Sequence, residues 1–344
     1  MKKSLLALAV LGAFAGVASA QSSVTMFGTV DLNGRYVKND GSSARYSLGQ
    51  DGINSSQLGF KGVEDLGGGL KAGFELIAGV NADDGTTNSK FFNRRSVVKL
   101  SGNFGEVRLG RDYTPTFWNY TVFDAFGTNG LGDSSHVLAP VLIQSTFVRA
   151  DNSIGYFLPS GIGGIYGQAM VAAGEGVQSG KYMGGRLGWA AGPFDVAGSY
   201  GEAGDSVKAK SWSVGTSYDL GIAKLMGYYA ETKVVSDKQK MFSVSAVVPI
   251  GQGEIHVGYE EGKINSGNSK ADQVALGYVY NLSKRTAVYS TVSMLKNHGP
   301  QGPIVSGAPV YGANSVSGEA GAQATYPNAG GKSQGAEFGI RHFF

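Results

Sequence analysis

The sequence predicts an all-β protein: a transmembrane antiparallel β-barrel of about sixteen strands, with one loop folded inward as a constriction. Three observations carry that prediction. Short segments of alternating polarity recur from Val24 to the end of the chain. An export leader is followed by no run of ~18 apolar residues that could span a bilayer as a helix. The chain also stops inside an alternating segment, on an aromatic residue, where most soluble chains end in a few polar, loosely held residues.

The leader is MKKSLLALAVLGAFAGVASA. Lys2 and Lys3 precede an apolar stretch from Leu5 to Val17, and Ala18-Ser19-Ala20 supplies the small-x-small pattern of a cleavage site before Gln21. The apolar stretch is too short and wrongly flanked for a spanning helix, so residues 1–20 are expected to be a secretory signal and residues 21–344 the barrel domain. Without Lys2 and Lys3 the chain carries 27 basic and 26 acidic residues, a net charge near +1. That balance offers no concentrated basic face and no case for nucleic-acid binding.

The strands follow in order. In VTMFGTVDLNGRY (24–36), Val24, Met26, Val30 and Leu32 share one parity, and Thr25, Thr29, Asp31, Asn33 and Arg35 share the other. QLGFKGVEDL (57–66) meets LKAGFELIAGV (70–80) at Gly67-Gly68-Gly69, and RSVVKLSGNF (95–104) meets GEVRLGRD (105–112) at Asn103–Gly105. In DQVALGYVYNL, Val274, Leu276, Tyr278, Tyr280 and Leu282 oppose Gln273, Gly277 and Asn281. The two tyrosines near one end fit an aromatic girdle at a membrane interface. In the closing EFGIRHFF, Phe338, Ile340 and Phe344 share a parity against Glu337, Gly339 and Arg341. A strand that runs to the last atom must be paired, because an open apolar edge aggregates. Its natural partner is the first strand, and pairing the two closes a barrel.

Connections alternate in length. Gly67–Gly69, Asp219–Ile222, Gly251–Gly253 and Ser283–Lys284 are short, whereas Asn39–Asn54, Ala82–Lys90, Gly201–Lys208, Val234–Gln239 and Lys263–Lys270 are longer and polar. Short turns on one rim and long loops on the other are the layout of outer-membrane barrels. Two connections are longer still: 113–149, expected to be functional, and 297–333, expected to be an external loop.

Composition narrows the chemistry. With 55 glycines, 34 Tyr plus Phe and 9 prolines, the chain is neither collagenous nor helical in character. Cysteine is absent, so no disulfide staples this exported fold. The four histidines, His136, His256, His298 and His342, have no ligand spacing, so no metal or other cofactor is expected. Gly331-Lys332-Ser333 lacks the first glycine of a phosphate loop, which falls on Tyr326, and no G-x-S-x-G elbow occurs.

What remains is a pore and its charges. About sixteen strands enclose an aqueous channel, which must be narrowed to be selective. The 113–149 loop carries Phe117, Trp118, Tyr120, Phe123 and Phe126, a set that would be unfavourable in water but is buried if folded against the wall. Asp124 and Asp133 within it are candidate lumen acids. Arg149 shares parity with Asp151 and Ser153 and should face the lumen. Strict alternation places Arg95 with Lys99 on the polar face and Arg94 on the apolar one unless a bulge intervenes. An arginine cluster at a waist sets ion selectivity through fixed charge.

SSQLGFKGVEDLGGGLKAGFEL (55–76), FNRRSVVKLSGNFGEVRLGRDYTP (92–115), LGYVYNLSKRTAVY (276–289) and the ending GIRHFF resemble the trimeric general porins of Gram-negative bacteria, in particular the β-proteobacterial type. The resemblance implies a homotrimer of sixteen-stranded barrels in the outer membrane, amid lipid and lipopolysaccharide, with the third loop folded into each lumen. It also implies that Phe344 is read by the barrel assembly machinery. In anion-preferring members arginines line the constriction opposite that loop. Two map onto Arg94 and Arg149, so Arg94 and Arg95 both stand as candidates. A third would fall at Gln57, which this chain lacks, and Lys61, further along the same face, partly replaces its charge.

The expected function is a non-enzymatic outer-membrane channel for passive diffusion of small hydrophilic solutes and ions, mildly anion-selective. Its waist would consist of Arg94, Arg95, Arg149, Gln57, Lys61 and Asp124. A substrate-specific channel for anionic solutes and a hydrolase or adhesin on a barrel scaffold stand as alternatives.

Overall fold

A computed structural model of the chain describes residues 23–137, 145–176, 180–265, 269–298 and 331–344. The expected leader and most of the 297–333 loop lie outside these residues. The first strands are β1 Ser23–Asn39, β2 Arg45–Gln50, β3 Gln57–Gly67, β4 Leu70–Gly79, β5 Arg95–Gly102 and β6 Gly105–Tyr113. A short helix, α1 Pro115–Val122, precedes β7 Arg149–Phe157, β8 Ile165–Ala172, β9 Tyr182–Ala191, β10 Phe194–Ala203 and β11 Ala209–Asp219. The wall is completed by β12 Lys224–Val234, β13 Asp237–Ile250, β14 Gly253–Ile264, β15 Ser269–Asn281, β16 Thr286–His298 and β17 Lys332–Phe343.

All pairings are antiparallel, and β17 returns to β1 in a register running from Thr29↔Phe343 to Asn39↔Ser333. The sheet is therefore closed, and no open edge faces lipid, where an unsatisfied backbone group costs several kcal/mol. β2 and β3 occupy a single stave: Leu32–Val37 of β1 pair with β2, and Ser23–Thr29 pair with β3. Counted this way the barrel has sixteen staves. The 39–54 stretch, expected as a plain loop, thus contains a strand. The loop proper is a break at residues 51–56, where the chain leaves the wall through the left-handed Asp51 (φ 60°).

The two faces obey the alternation. Val98, Leu100, Leu109, Ile154, Val214, Val274, Leu276, Val292, Phe338 and Ile340 are exposed on the outer face, where lipid would cover them. Gln273, Ala275 and Glu337 point inward and are buried beneath the inward loop, and Asp31 and Asn33 also point inward and are buried, Asp31 beneath residues 52–54. Phe344 lies past the last strand but stays in register. Its N–H donates to Gly28 O and its carbonyl accepts from Gly28 N, both at 3.1 Å. The Phe344 ring fills the outer-face gap at Gly28, where a Cβ would stand 2.2 Å from it.

Candidate pore constriction

Residues 114–137 and 145–148 fold into the lumen between β6 and β7. Thr114 caps α1, its hydroxyl accepting from Phe117 N at 3.4 Å, and Pro115 occupies the first turn, where no N–H is needed. Polar groups then fix the loop to the wall. Asn119, fully buried, donates to Ala197 O at 3.0 Å and Ser213 Oγ at 3.1 Å, and its Oδ1 accepts from Arg186 Nε at 2.6 Å. Downstream, Ala125 N donates to Ser245 Oγ at 3.0 Å, Leu131 N to Glu337 Oε1 at 3.2 Å, and Gln239 Nε2 to Val137 O at 2.9 Å. Apolar side chains seat where the wall has glycine: a Cβ at Gly215 would lie 2.1 Å from the Phe123 ring, and one at Gly335 2.9 Å from Leu131. The aromatics of this loop are thus partly absorbed by the wall, as the sequence pattern requires.

The opposite side of the waist is the 51–56 break. Asp31 on β1 accepts from Gly52 N at 3.2 Å, Ile53 N at 3.0 Å and Asn54 N at 2.8 Å, and from the Tyr289 hydroxyl. Arg341 Nη1 donates to Asn54 Oδ1 at 3.0 Å, and Ser55 Oγ reaches across to Asn129 Oδ1 of the inward loop at 3.0 Å. Between the two sides lies a cavity of about 560 Å³ whose lining includes Arg94, Arg95, Arg149, Gln57, Tyr113 and Trp118.

The three arginines differ in their partners. Arg95 is neutralised: its Nη1 lies 2.7 Å from Glu75 Oε2 and its Nε 2.7 Å from Asp112 Oδ1. The same carboxylates hold Lys99 at 2.7 Å and Arg108 at 2.9 Å, so β4, β5 and β6 carry a balanced charge ladder on the lumen face. Arg94 lies one residue before β5, where alternation no longer applies, which is why it reaches the lumen against the parity expectation. Its backbone N–H donates to Ile77 O at 3.1 Å, whereas its Nε has no hydrogen-bond partner among the described residues. Arg149 donates through Nη2 to the Tyr113 hydroxyl at 2.9 Å and lies 4.4 Å over that ring, with Nε unpartnered. Its parity with Ser153 does not explain its direction, because the β6–β7 register shifts between Gly110 and Asp112. Neither Arg94 nor Arg149 has a carboxylate within salt-bridge distance among the described residues.

Two expected members are placed elsewhere. Asp124 is 5 % exposed and does not line this cavity. It accepts from Phe126 N at 2.9 Å, Thr128 N at 3.1 Å and Ser134 Oγ at 2.8 Å, so it shapes the loop from within. Burial, with Asp133 beside it, pushes its carboxyl up to about 6. Lys61 sits four residues down β3 from Gln57, about 13 Å along an extended strand, with its Nζ 5.3 Å from the Phe27 ring centroid. The acids at the cavity are Asp51 and Asp133, the first of which sequence reasoning missed. The Asp51-Gly52 pair inside an alternating stretch was the available signal, since Asp-Gly marks turns. Burial pushes Asp51 up to about 6, against the pull of the Ser56 N–H at 2.6 Å and the Arg94 charge. Tyr113 and Arg341 were also missed. No cluster of metal ligands exists among the described residues.

A closed barrel with an apolar outer belt, a polar interior and an inward loop that narrows the lumen defines a diffusion channel of the bacterial outer membrane. Comparison with known proteins agrees. The Gram-negative porin family matches residues 7–300. Outer membrane porin protein 32 of Delftia acidovorans is 39 % identical over 364 residues, covering all of both chains. Major outer membrane protein P.IB of Neisseria meningitidis serogroup A is 27 % identical, covering 86 % of this chain and 94 % of its own. Among solved structures, the anion-selective porin from Comamonas acidovorans superposes with a TM-score of 0.81 at 36 % identity, covering 94 % of this chain and 100 % of that one. The chain belongs to the Gram-negative porin family. It is an outer-membrane channel, not an enzyme, and neither a hydrolase nor an adhesin is needed to account for it.

Proposed function

We infer that this porin passes small hydrophilic solutes and ions with a mild preference for anions, set at the waist by Arg94 and Arg149. The observation that carries this is the difference in compensation: Arg95 has two carboxylate partners, whereas Arg94 and Arg149 have none within salt-bridge distance among the described residues. Fixed charge in a narrow, low-dielectric passage raises the local concentration of the opposite ion. The anion selectivity named for the Comamonas porin supports the same direction. Gln57, neutral where a third arginine would add charge, keeps the preference mild, and Lys61 adds a cation further along the wall. The test is the reversal potential of the refolded protein in a planar bilayer under a salt gradient. An anion-favouring potential that collapses in Arg94→Ala plus Arg149→Ala supports the assignment, and a cation-favouring potential unchanged by those substitutions overturns it.

Three further features belong to the same proposal, on the strength of the family resemblance. Residues 1–20 are removed on export. The mature chains form a homotrimer surrounded by lipid and lipopolysaccharide. Phe344, held at the seam by Gly28, is the residue read by the barrel assembly machinery.

A further inference from the structure

Helix α1 turns aromatic rings toward the channel as well as toward the wall. A helix packed on a wall normally buries its apolar stripe and turns polar groups to water. Here Tyr120 packs on Tyr228 of the wall beside the buried Thr116 and Asn119, yet Phe117 and Trp118 line the waist cavity. Leaving rings of this size beside water forfeits burial that would otherwise stabilise the loop. Tyr113 extends the aromatic side: its ring stacks on Phe117 at 5.4 Å with 19° between planes and lies 5.6 Å from Trp118. The same cavity is lined by Arg94 and Arg149, by Asn54, Gln57 and Asn129, and by the acids Asp51 and Asp133, which the two arginines and the paired Arg95 outnumber. Its volume, about 560 Å³, falls within the ~300–1,000 Å³ of small-molecule sites.

We propose that this cavity is an affinity site for aromatic carboxylates, a refinement that rests on the anion preference inferred above. The carboxylate would be held by the two terminal nitrogens of Arg94, with Arg149, whose Nη2 is engaged by Tyr113, adding its charge. The ring would lie along Trp118 and Phe117, whose faces an aliphatic anion of equal charge uses less well. An aromatic cation would meet the two arginines and be excluded.

The experiment compares benzoate with cyclohexanecarboxylate as blockers of potassium chloride current through the refolded protein in a planar bilayer. The two anions have the same charge and nearly the same size and differ in the π-system. Half-block by benzoate is expected at a concentration about fivefold lower than by cyclohexanecarboxylate. The difference should vanish in Trp118→Leu plus Phe117→Leu and persist in Trp118→Phe. Only conducting pores report block, so each variant carries its own proof of folding. Equal half-block in the unmodified protein, or a preference that survives the double leucine change, overturns the proposal. A cation-favouring reversal potential instead removes the anion preference on which it rests. An anion-favouring potential with equal half-block removes the aromatic site alone.

Discussion

Arg35 on β1 and Glu337 on β17 form a buried ion pair across the seam that closes the barrel, with Nη2 2.9 Å from Oε2. The other carboxylate oxygen accepts the backbone N–H of Leu131, at the tip of the inward loop, at 3.2 Å. One side chain thus joins closure of the wall to the position of the constriction. Removing one partner of a buried pair leaves an uncompensated charge and costs about 3–5 kcal/mol. Arg35→Ala should therefore lower the thermal unfolding temperature and add open-channel noise as the loop tip loosens. An unfolding midpoint and current trace identical to the parent would separate the seam from the loop.

The glycines under the loop make a second prediction. A side chain at Gly215 would enter the space of the Phe123 ring, 2.1 Å away at Cβ alone. Overpacking of this kind costs about 1–3 kcal/mol, and here it falls on the contact between loop and wall. The backbone ladders of β11 with β10 and β12 are untouched by it. Gly215→Val should still yield an inserted barrel, but with the loop displaced and single-channel conductance altered. A folded variant with parent conductance would mean that Phe123 does not hold the loop.

The charge ladder makes a third. Glu75 holds Arg95 and Lys99, each at 2.7 Å. Glu75→Gln removes one negative charge from the lumen face and leaves Asp112 as the carboxylate partner of Arg95 among the described residues. The reversal potential should move further toward anions, opposite in sign to the shift caused by Arg94→Ala. An unchanged potential would show that Glu75 is screened from the permeating ions, and a shift toward cations would overturn the ladder as a source of lumen charge.

The parts of this molecule that follow a period of two are legible in the sequence alone. Gln273 to Asn281 keep one alternation throughout, and the same holds for the last strand, where Phe338 and Ile340 face out and Glu337 and Arg341 face in. Legibility ended where the period ended. Arg94 precedes its strand, and the path from Ser153 back to Arg149 crosses a register shift, so parity could not place either side chain. Asp124 was misread for a different reason. A carboxylate in a loop can face water or collect its own backbone N–H groups, and the choice depends on loop geometry that no periodicity encodes. The inward break at 51–56 was hidden because its anchor, Asp31, sits twenty residues or more away and looks like any lumen-facing residue of β1.

The last prediction concerns pH. Burial pushes Asp51 up to about 6 from an ordinary value near 3.8, and Asp133 is raised by the same cause. Below that range the carboxyl of Asp51 is neutral, and the cavity is dominated by Arg94 and Arg149. As pH rises through about 6 the carboxylate forms beside Arg94 and offsets part of its charge. Anion preference should therefore be strongest in mildly acidic solution and decline through this range, with the reversal potential as readout. The linked effect on stability has a definite sign. A carboxyl whose folded value is raised favours the folded site while protonated, so this contribution is complete below pH 3.8 and is lost as pH climbs through about 6. Asp51→Asn keeps the group neutral at every pH and should flatten the change in selectivity while leaving a steady anion preference. A profile that keeps its full slope in Asp51→Asn would assign the titration to Asp133 or another group and remove Asp51 from the waist.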